Sequence, residues 1–153
     1  MTDKFQIFNK FPKHRNHKFV GCDKYKIGEG KELIGTDGIG SSLAITLYNP
    51  QNKIGILAHI LGMEGSPDEV KPEKVIDILL KQLNIFGELN YKKLEATLAG
   101  EGIVLAESQR NSQIVRARIK DYKIPIIGED LCKASGRLVF LNCDTGWVEV
   151  YRA

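Results

Sequence analysis

Through the first part of the chain, apolar and polar residues alternate in short runs: Phe19 to Cys22, Tyr25 to Ile27 and Glu32 to Gly35, broken by Asp, Gly and Lys. A period of two between turn formers predicts strands, here a small meander. A longer pair follows. Ser42 to Tyr48 and Lys53 to Ile60 read as the strands of a hairpin. Asn49-Pro50-Gln51-Asn52 between them is turn chemistry, because Pro50 has no N–H to give a ladder. Pairing in that hairpin returns His59 toward Ser42. Residues 62–71, with Gly65, Ser66 and Pro67, are polar and predict a surface loop beside that point.

From Pro72 the period changes. Val75, Ile78, Leu79, Leu83 and Phe86 recur on one face of a helix over 72–86, with Pro72 in its first turn and Gly87 at its end. Leu94 to Ala99 predicts a strand and Gly100-Glu101-Gly102 a turn before Ile103-Val104-Leu105. Asn111 or Ser112 caps a second helix to about Tyr122, its inner face carrying Ile114, Val115, Ile119 and Tyr122. Ile124 to Ile127 reads as a strand. Arg137 to Asn142 and Gly146 to Tyr151 read as a hairpin through Cys143-Asp144-Thr145-Gly146. The pattern is that of a strand-rich α+β domain over 18–153, without its topology. Ahead of it, Phe5, Phe8 and Phe11 stand at every third position among basic residues. They predict a flexible tail over 1–17 or a short amphipathic patch.

Composition narrows the class. With 153 residues, 42% apolar and 27% charged, the chain has the balance of one ordinary globular domain. No apolar run is long enough to span a bilayer, and Met1 to Lys18 has no signal-peptide core, so membrane insertion is not expected. Cys22, Cys132 and Cys143 match no zinc spacing, His14 and His17 lack further ligands, and the odd count points to the reducing cytoplasm. No metal or cofactor is expected. A net charge of +3 spread along the chain does not point to nucleic acid.

The candidate chemistry lies in Thr36-Asp37-Gly38-Ile39-Gly40-Ser41-Ser42 and in Ala58-His59. Gly38 and Gly40 let the backbone turn sharply and leave N–H groups around Gly40, Ser41 and Ser42 to face an oxyanion, while Ser42 sits where turn meets strand. The same residues also describe a tight turn between two core strands.

The order of these pieces resembles the chemoreceptor glutamine deamidase family, CheD, whose site motif runs Thr-Leu-Gly-Leu-Gly-Ser-Cys before a strand and is followed by a strand ending in Ala-His. The resemblance continues through Leu43 to Tyr48, Lys53-Ile54-Gly55, Lys71-Pro72, Arg110-Asn111, Gly136-Arg137 and Asp144-Thr145-Gly146, and covers roughly residues 19 to 151. It implies layered mixed and antiparallel strands with two helices on one side. It also implies hydrolysis of receptor glutamine side chains to glutamate and ammonia, with His59 as base and Thr36 as a third site residue that orients or polarises, supporting the histidine or the substrate. The implied partners are the cytoplasmic domain of methyl-accepting chemoreceptors and a CheC-type phosphatase.

The nucleophile position falls on Ser42, where the family has cysteine. A hydroxyl is far less acidic than a thiol, whose reference pKa is about 8.5, so Ser42 in a cysteine-shaped site is expected to be slow or inactive. The serine is either an engineered replacement or a natural divergence. Glu101 in place of a glycine, Gly62-Met63 in place of Leu-Pro and Val75 in place of a tyrosine favour divergence. The alternative function is a catalytically inactive binding module for chemoreceptors or the phosphatase; a third reading is a hydrolase acting on other amides. Cys22 as a substitute nucleophile would need to reach His59, and nothing in the sequence places it there.

Overall fold

The computed structural model describes residues 3–102, 106–132 and 136–152, the side chains of 106–109 excepted. Its strands are β1 (Phe5–Phe8), β2 (Lys18–Phe19), β3 (Lys24–Glu29), β4 (Leu33–Thr36), β5 (Leu43–Asn49), β6 (Ile54–Ile60), β7 (Glu95–Gly100), β8 (Ile126–Leu131), β9 (Arg137–Asn142) and β10 (Val148–Arg152). The helices are α1 (Val75–Asn84) and α2 (Ala106–Asp121). The strands form two five-stranded sheets, ordered β1-β10-β9-β4-β2 and β3-β6-β5-β7-β8. The first is mixed, with β1 parallel to β10 and β2 parallel to β4. The second is antiparallel apart from β7 against β8.

Every residue of β5 and β6 is buried, and the alternation of side chains explains why. Leu43, Ile45 and Leu47 of β5 and Ile54, Ile56, Ala58 and Ile60 of β6 pack with Val75, Ile76, Leu79, Leu80 and Leu83 of α1 and Val115 and Ile119 of α2. The opposite parity, Ala44 and Tyr48 of β5 and Leu57 of β6, packs with Ile34, Val139, Leu141 and Val150 of the other sheet. The layers are therefore sheet, sheet and helices, with both helices on one face. This is the α+β architecture the resemblance implies.

Several boundaries differ from the sequence reading. Residues 5–8, expected in a flexible tail, pair with β10 from Phe5↔Val148 to Phe8↔Tyr151. Phe5 is buried against Gly128, where a Cβ would overlap its ring, and Phe8 stacks on Tyr151 at 4.9 Å between ring centroids, while Phe11 stays exposed. Arg15 binds Glu149 at 2.5 Å and His17 packs edge-on against Phe140 at 5.1 Å, so the chain after β1 is held down as well. Helix α1 spans Val75–Asn84 rather than 72–86, which leaves Phe86 out in solvent and puts Ile76 and Leu80 in its buried face instead. Helix α2 begins at Ala106, ahead of the expected caps at Asn111 and Ser112; the turn's continuation through 103–105 lies outside the described residues. Among the described residues no helix is long and apolar enough to cross a membrane.

Candidate active site

Strand parity assembles the site. Ser42 precedes β5 with the parity of Ala44, His59 of β6 has the parity of Leu57, and Thr36 of β4 has the parity of Ile34, so all three side chains enter the space between the sheets at one end. In the ladder Ala44 lies opposite both His59 and Ala99, which puts the β5 entry between the ends of β6 and β7. The expected hairpin thus returns His59 to Ser42. What the sequence left open is that Thr36 reaches the same histidine from the other sheet.

The three residues form a chain of hydrogen bonds whose direction is fixed. Thr36 Oγ1 lies 2.7 Å from the Val20 carbonyl oxygen, which can only accept, so the single hydroxyl proton of Thr36 is committed there. Toward His59 Nδ1, at 2.8 Å, Thr36 must then accept, and Nδ1 carries the imidazole proton. Nε2 is left as the acceptor for the Ser42 hydroxyl at 3.0 Å. Thr36, Ser42 and His59 are 0%, 3% and 6% exposed, so water hardly competes for these bonds. Burial pushes the His59 pKa below its ordinary value, opposed by the carboxylates of Asp23 and Asp37. A neutral imidazole with a free Nε2 lone pair beside a hydroxyl is the geometry of a base and its nucleophile.

The turn before Ser42 is braced from both ends. Ile39 N–H donates to the Arg137 carbonyl at 3.2 Å, Gly102 N–H to the Gly40 carbonyl at 2.7 Å, and Glu101 N–H to the Ser42 carbonyl at 3.0 Å. Gly38 and Gly100 take φ of +64° and +144°. At Gly100 a Cβ would overlap the Ser42 carbonyl oxygen, so only glycine lets β7 close on the site. Gly40 N–H donates to Gly38 O at 3.0 Å, which removes it from the set expected to face an oxyanion. The N–H groups of Ser41 and Ser42 have no acceptor among the described residues.

Glu101, expected in a turn, is 1% exposed and accepts from Ser112 N–H at 2.7 Å. Burial raises its pKa above the carboxylate norm, against the lowering effect of its Ser112 bonds and of Arg116.

A cavity of about 410 Å³ opens over Ser42 and His59, with Phe19, Cys22, Asp37 and Leu61 on its walls. Cys22 therefore does share a cavity with His59, contrary to the sequence reading, because the turn between β2 and β3 folds over the end of β6. Its thiol pKa is raised by burial and by Asp23, which keeps it protonated, and no hydrogen bond joins it to His59 among the described residues. Asp23 instead accepts from Leu61 N–H at 2.9 Å and Ser66 Oγ at 2.8 Å, fixing the loop after β6. Among the described residues no cluster of His, Cys, Asp or Glu could hold a metal ion.

Two stacked sheets with a buried hydroxyl–imidazole pair at one end, anchored by a third hydroxyl, give the arrangement that acyl-transfer hydrolases with a covalent intermediate use. Residues 73–152 match the family model described as CheD chemotactic sensory transduction. The chain is 32% identical over 145 residues to the probable chemoreceptor glutamine deamidase CheD of Pyrococcus abyssi, covering 86% of this chain and 88% of that protein. It is 30% identical over 139 residues to the chemoreceptor glutamine deamidase CheD of Thermotoga maritima, covering 84% and 87%. The chain belongs to the CheD family. A crystal structure of the Bacillus licheniformis hypothetical protein YfiH overlaps with a TM-score of 0.45 at 10% identity over 85% of this chain and 64% of that one, too loosely to bear on the site.

Proposed function

We propose that this chain is a working glutamine deamidase that uses Ser42 in place of cysteine, and that its substrates are glutamine side chains of chemoreceptor cytoplasmic domains. The observation that carries this reading is the directed relay from Ser42 Oγ through His59 to Thr36 and the Val20 carbonyl, which leaves Nε2 ready to take the serine proton. The relatives' names supply the substrate.

Ser42 Oγ attacks the side-chain carboxamide carbon as its proton passes to His59 Nε2. The N–H groups of Ser41 and Ser42 hold the oxyanion. Collapse breaks the C–N bond, and the imidazolium gives its proton to the departing ammonia. Water, giving its proton to His59 Nε2, then attacks the serine ester; the C–O bond to Ser42 breaks, the imidazolium returns the proton to Ser42 Oγ, and glutamate is released. Thr36 keeps Nδ1 protonated throughout.

Ser42 also favours a second reading, a cytoplasmic docking module for chemoreceptors or a CheC-type phosphatase with its chemistry lost. One experiment separates the two. The protein, Ser42→Ala and Ser42→Cys are incubated with a glutamine-bearing receptor segment, and ammonia release and the mass of the segment are followed. Deamidation by the wild type, lost in Ser42→Ala and faster in Ser42→Cys, is the expected result. Deamidation by Ser42→Cys alone favours the docking module, and none in any form overturns the deamidase.

A further inference from the structure

The chain has a formal net charge of +3, yet among the described residues on the wall of the cavity over Ser42 the only formally charged side chain is an acid, Asp37. It follows Thr36 directly at the end of β4, so the buried side chain that orients His59 and the exposed carboxylate at the cavity mouth are chain neighbours. Asp23, the other carboxylate near His59, has both oxygens engaged by Leu61 and Ser66. Asp37 makes no hydrogen bond or ion pair among the described residues. Among the described residues no lysine or arginine lines the cavity to neutralise it.

We propose that Asp37 is a specificity residue that selects glutamines carrying a lysine or arginine within one helical turn and disfavours those flanked by acids. This rests on the reading of Ser42 as the nucleophile of a glutamine deamidase. The reacting amide is neutral, so the carboxylate acts on its surroundings. On a helical substrate, residues three or four positions from the glutamine share its face, and a cation there meets Asp37 as the amide reaches Ser42. An acid at the same position meets a like charge beside a protein wall, where water screens less than in bulk. The same field acts on the product. Deamidation turns the neutral amide into a carboxylate next to Asp37, so the product is repelled from the cavity that admitted the substrate.

The test uses helical peptides with one glutamine and either Lys, Ala or Glu four residues away, assayed with wild type and Asp37→Asn at low and high salt. An exposed charge pair is worth a modest factor, so kcat/KM for the Lys peptide should exceed that for the Glu peptide by on the order of fivefold at low salt. Asp37→Asn or high salt should bring the ratio close to one. Equal rates on the three peptides with wild type, or a preference that persists in Asp37→Asn, overturns the assignment of Asp37 while the deamidase stands. If neither wild type nor Ser42→Cys deamidates any peptide, the deamidase reading falls and the ratio is read from Kd values on Ser42→Ala. A tighter Kd for the Lys peptide then supports Asp37 as a recognition residue, and equal or undetectable binding overturns it.

Discussion

Thr36 decides which nitrogen of His59 carries the proton, and with it which nitrogen offers Ser42 a lone pair. Thr36→Val keeps the shape but removes the acceptor for Nδ1–H, so the imidazole loses the contact that holds its tautomer. General-base catalysis is worth about 10²–10⁴ in rate, and kcat/KM should fall by a factor in that range. Thr36→Ser, which keeps the hydroxyl, should retain most of the activity, and this contrast separates orientation from packing. In the proposed reaction the acid limb of the rate profile belongs to His59. Its pKa is depressed by burial, so the base stays neutral below the ordinary histidine value near 6.5, and activity falls only as the pH drops through the depressed value. The unfolded chain takes up a proton on His59 at a higher pH than the fold does, so stability declines as pH falls from about 6.5 toward the folded value and is unaffected by this group above that window. Denaturation midpoints for wild type and His59→Gln across that window test it, because the variant should lose the slope.

Among the elements, the pairing that brings Ser42 and His59 together is legible in the sequence. The β5–β6 hairpin has Asn-Pro turn chemistry between two runs of matched length, and strand pairing by itself carries His59 back to Ser42. What resisted reading were contacts whose partners lie far away along the chain. Nothing local to Phe5-Gln6-Ile7-Phe8 announces that it pairs with Val148–Tyr151, and the threefold spacing of its phenylalanines imitates a helix rather than a strand. Thr36 to His59 is likewise a product of sheet stacking, and Cys22 reaches the cavity through the turn that folds over the end of β6; a linear pattern encodes neither. Gly100 is another such case, an ordinary turn glycine in sequence and a close approach in the fold. Gly100→Ala puts a methyl group against the Ser42 carbonyl at a φ of +144°. Overpacking and backbone strain each cost on the order of 1–3 kcal/mol, and the displacement falls on Ser42 itself. Activity should drop further than the shift in melting temperature accounts for, as measured by kcat/KM well below the transition.

For the molecule as a whole, the two sheets are joined at the site end by a buried charge cluster. Asp130 of β8 accepts from Arg137 Nε of β9 at 2.8 Å and from Arg152 of β10 at 3.1 Å, and Arg137 also donates to the Cys132 carbonyl. The side chains of Arg137 and Asp130 are 0% and 3% exposed, and Arg137 Nη1 has no partner among the described residues. A guanidinium in that position depends on its one carboxylate. Asp130→Asn would leave the charge buried and uncompensated, at a cost of about 3–5 kcal/mol, whereas replacing Asp130 and Arg137 together by apolar residues should cost much less. Comparing the double variant with the single ones by urea denaturation measures that coupling. Burial alone would raise the Asp130 pKa, but hydrogen bonds from Arg152 and Arg137 outweigh it and hold the carboxyl below its ordinary value near 3.8. The stabilisation is therefore fully present above about pH 4 and is lost as pH falls through the depressed value, so the acid transition of wild type should flatten in the double variant. Because the Arg137 carbonyl also receives Ile39 N–H from the turn before Ser42, the cluster that ties the sheets also holds the loop that leads into Ser42. Asp130→Asn should therefore lower kcat/KM even at temperatures where the variant is fully folded, and an unchanged rate there would separate the fold's tie from the site.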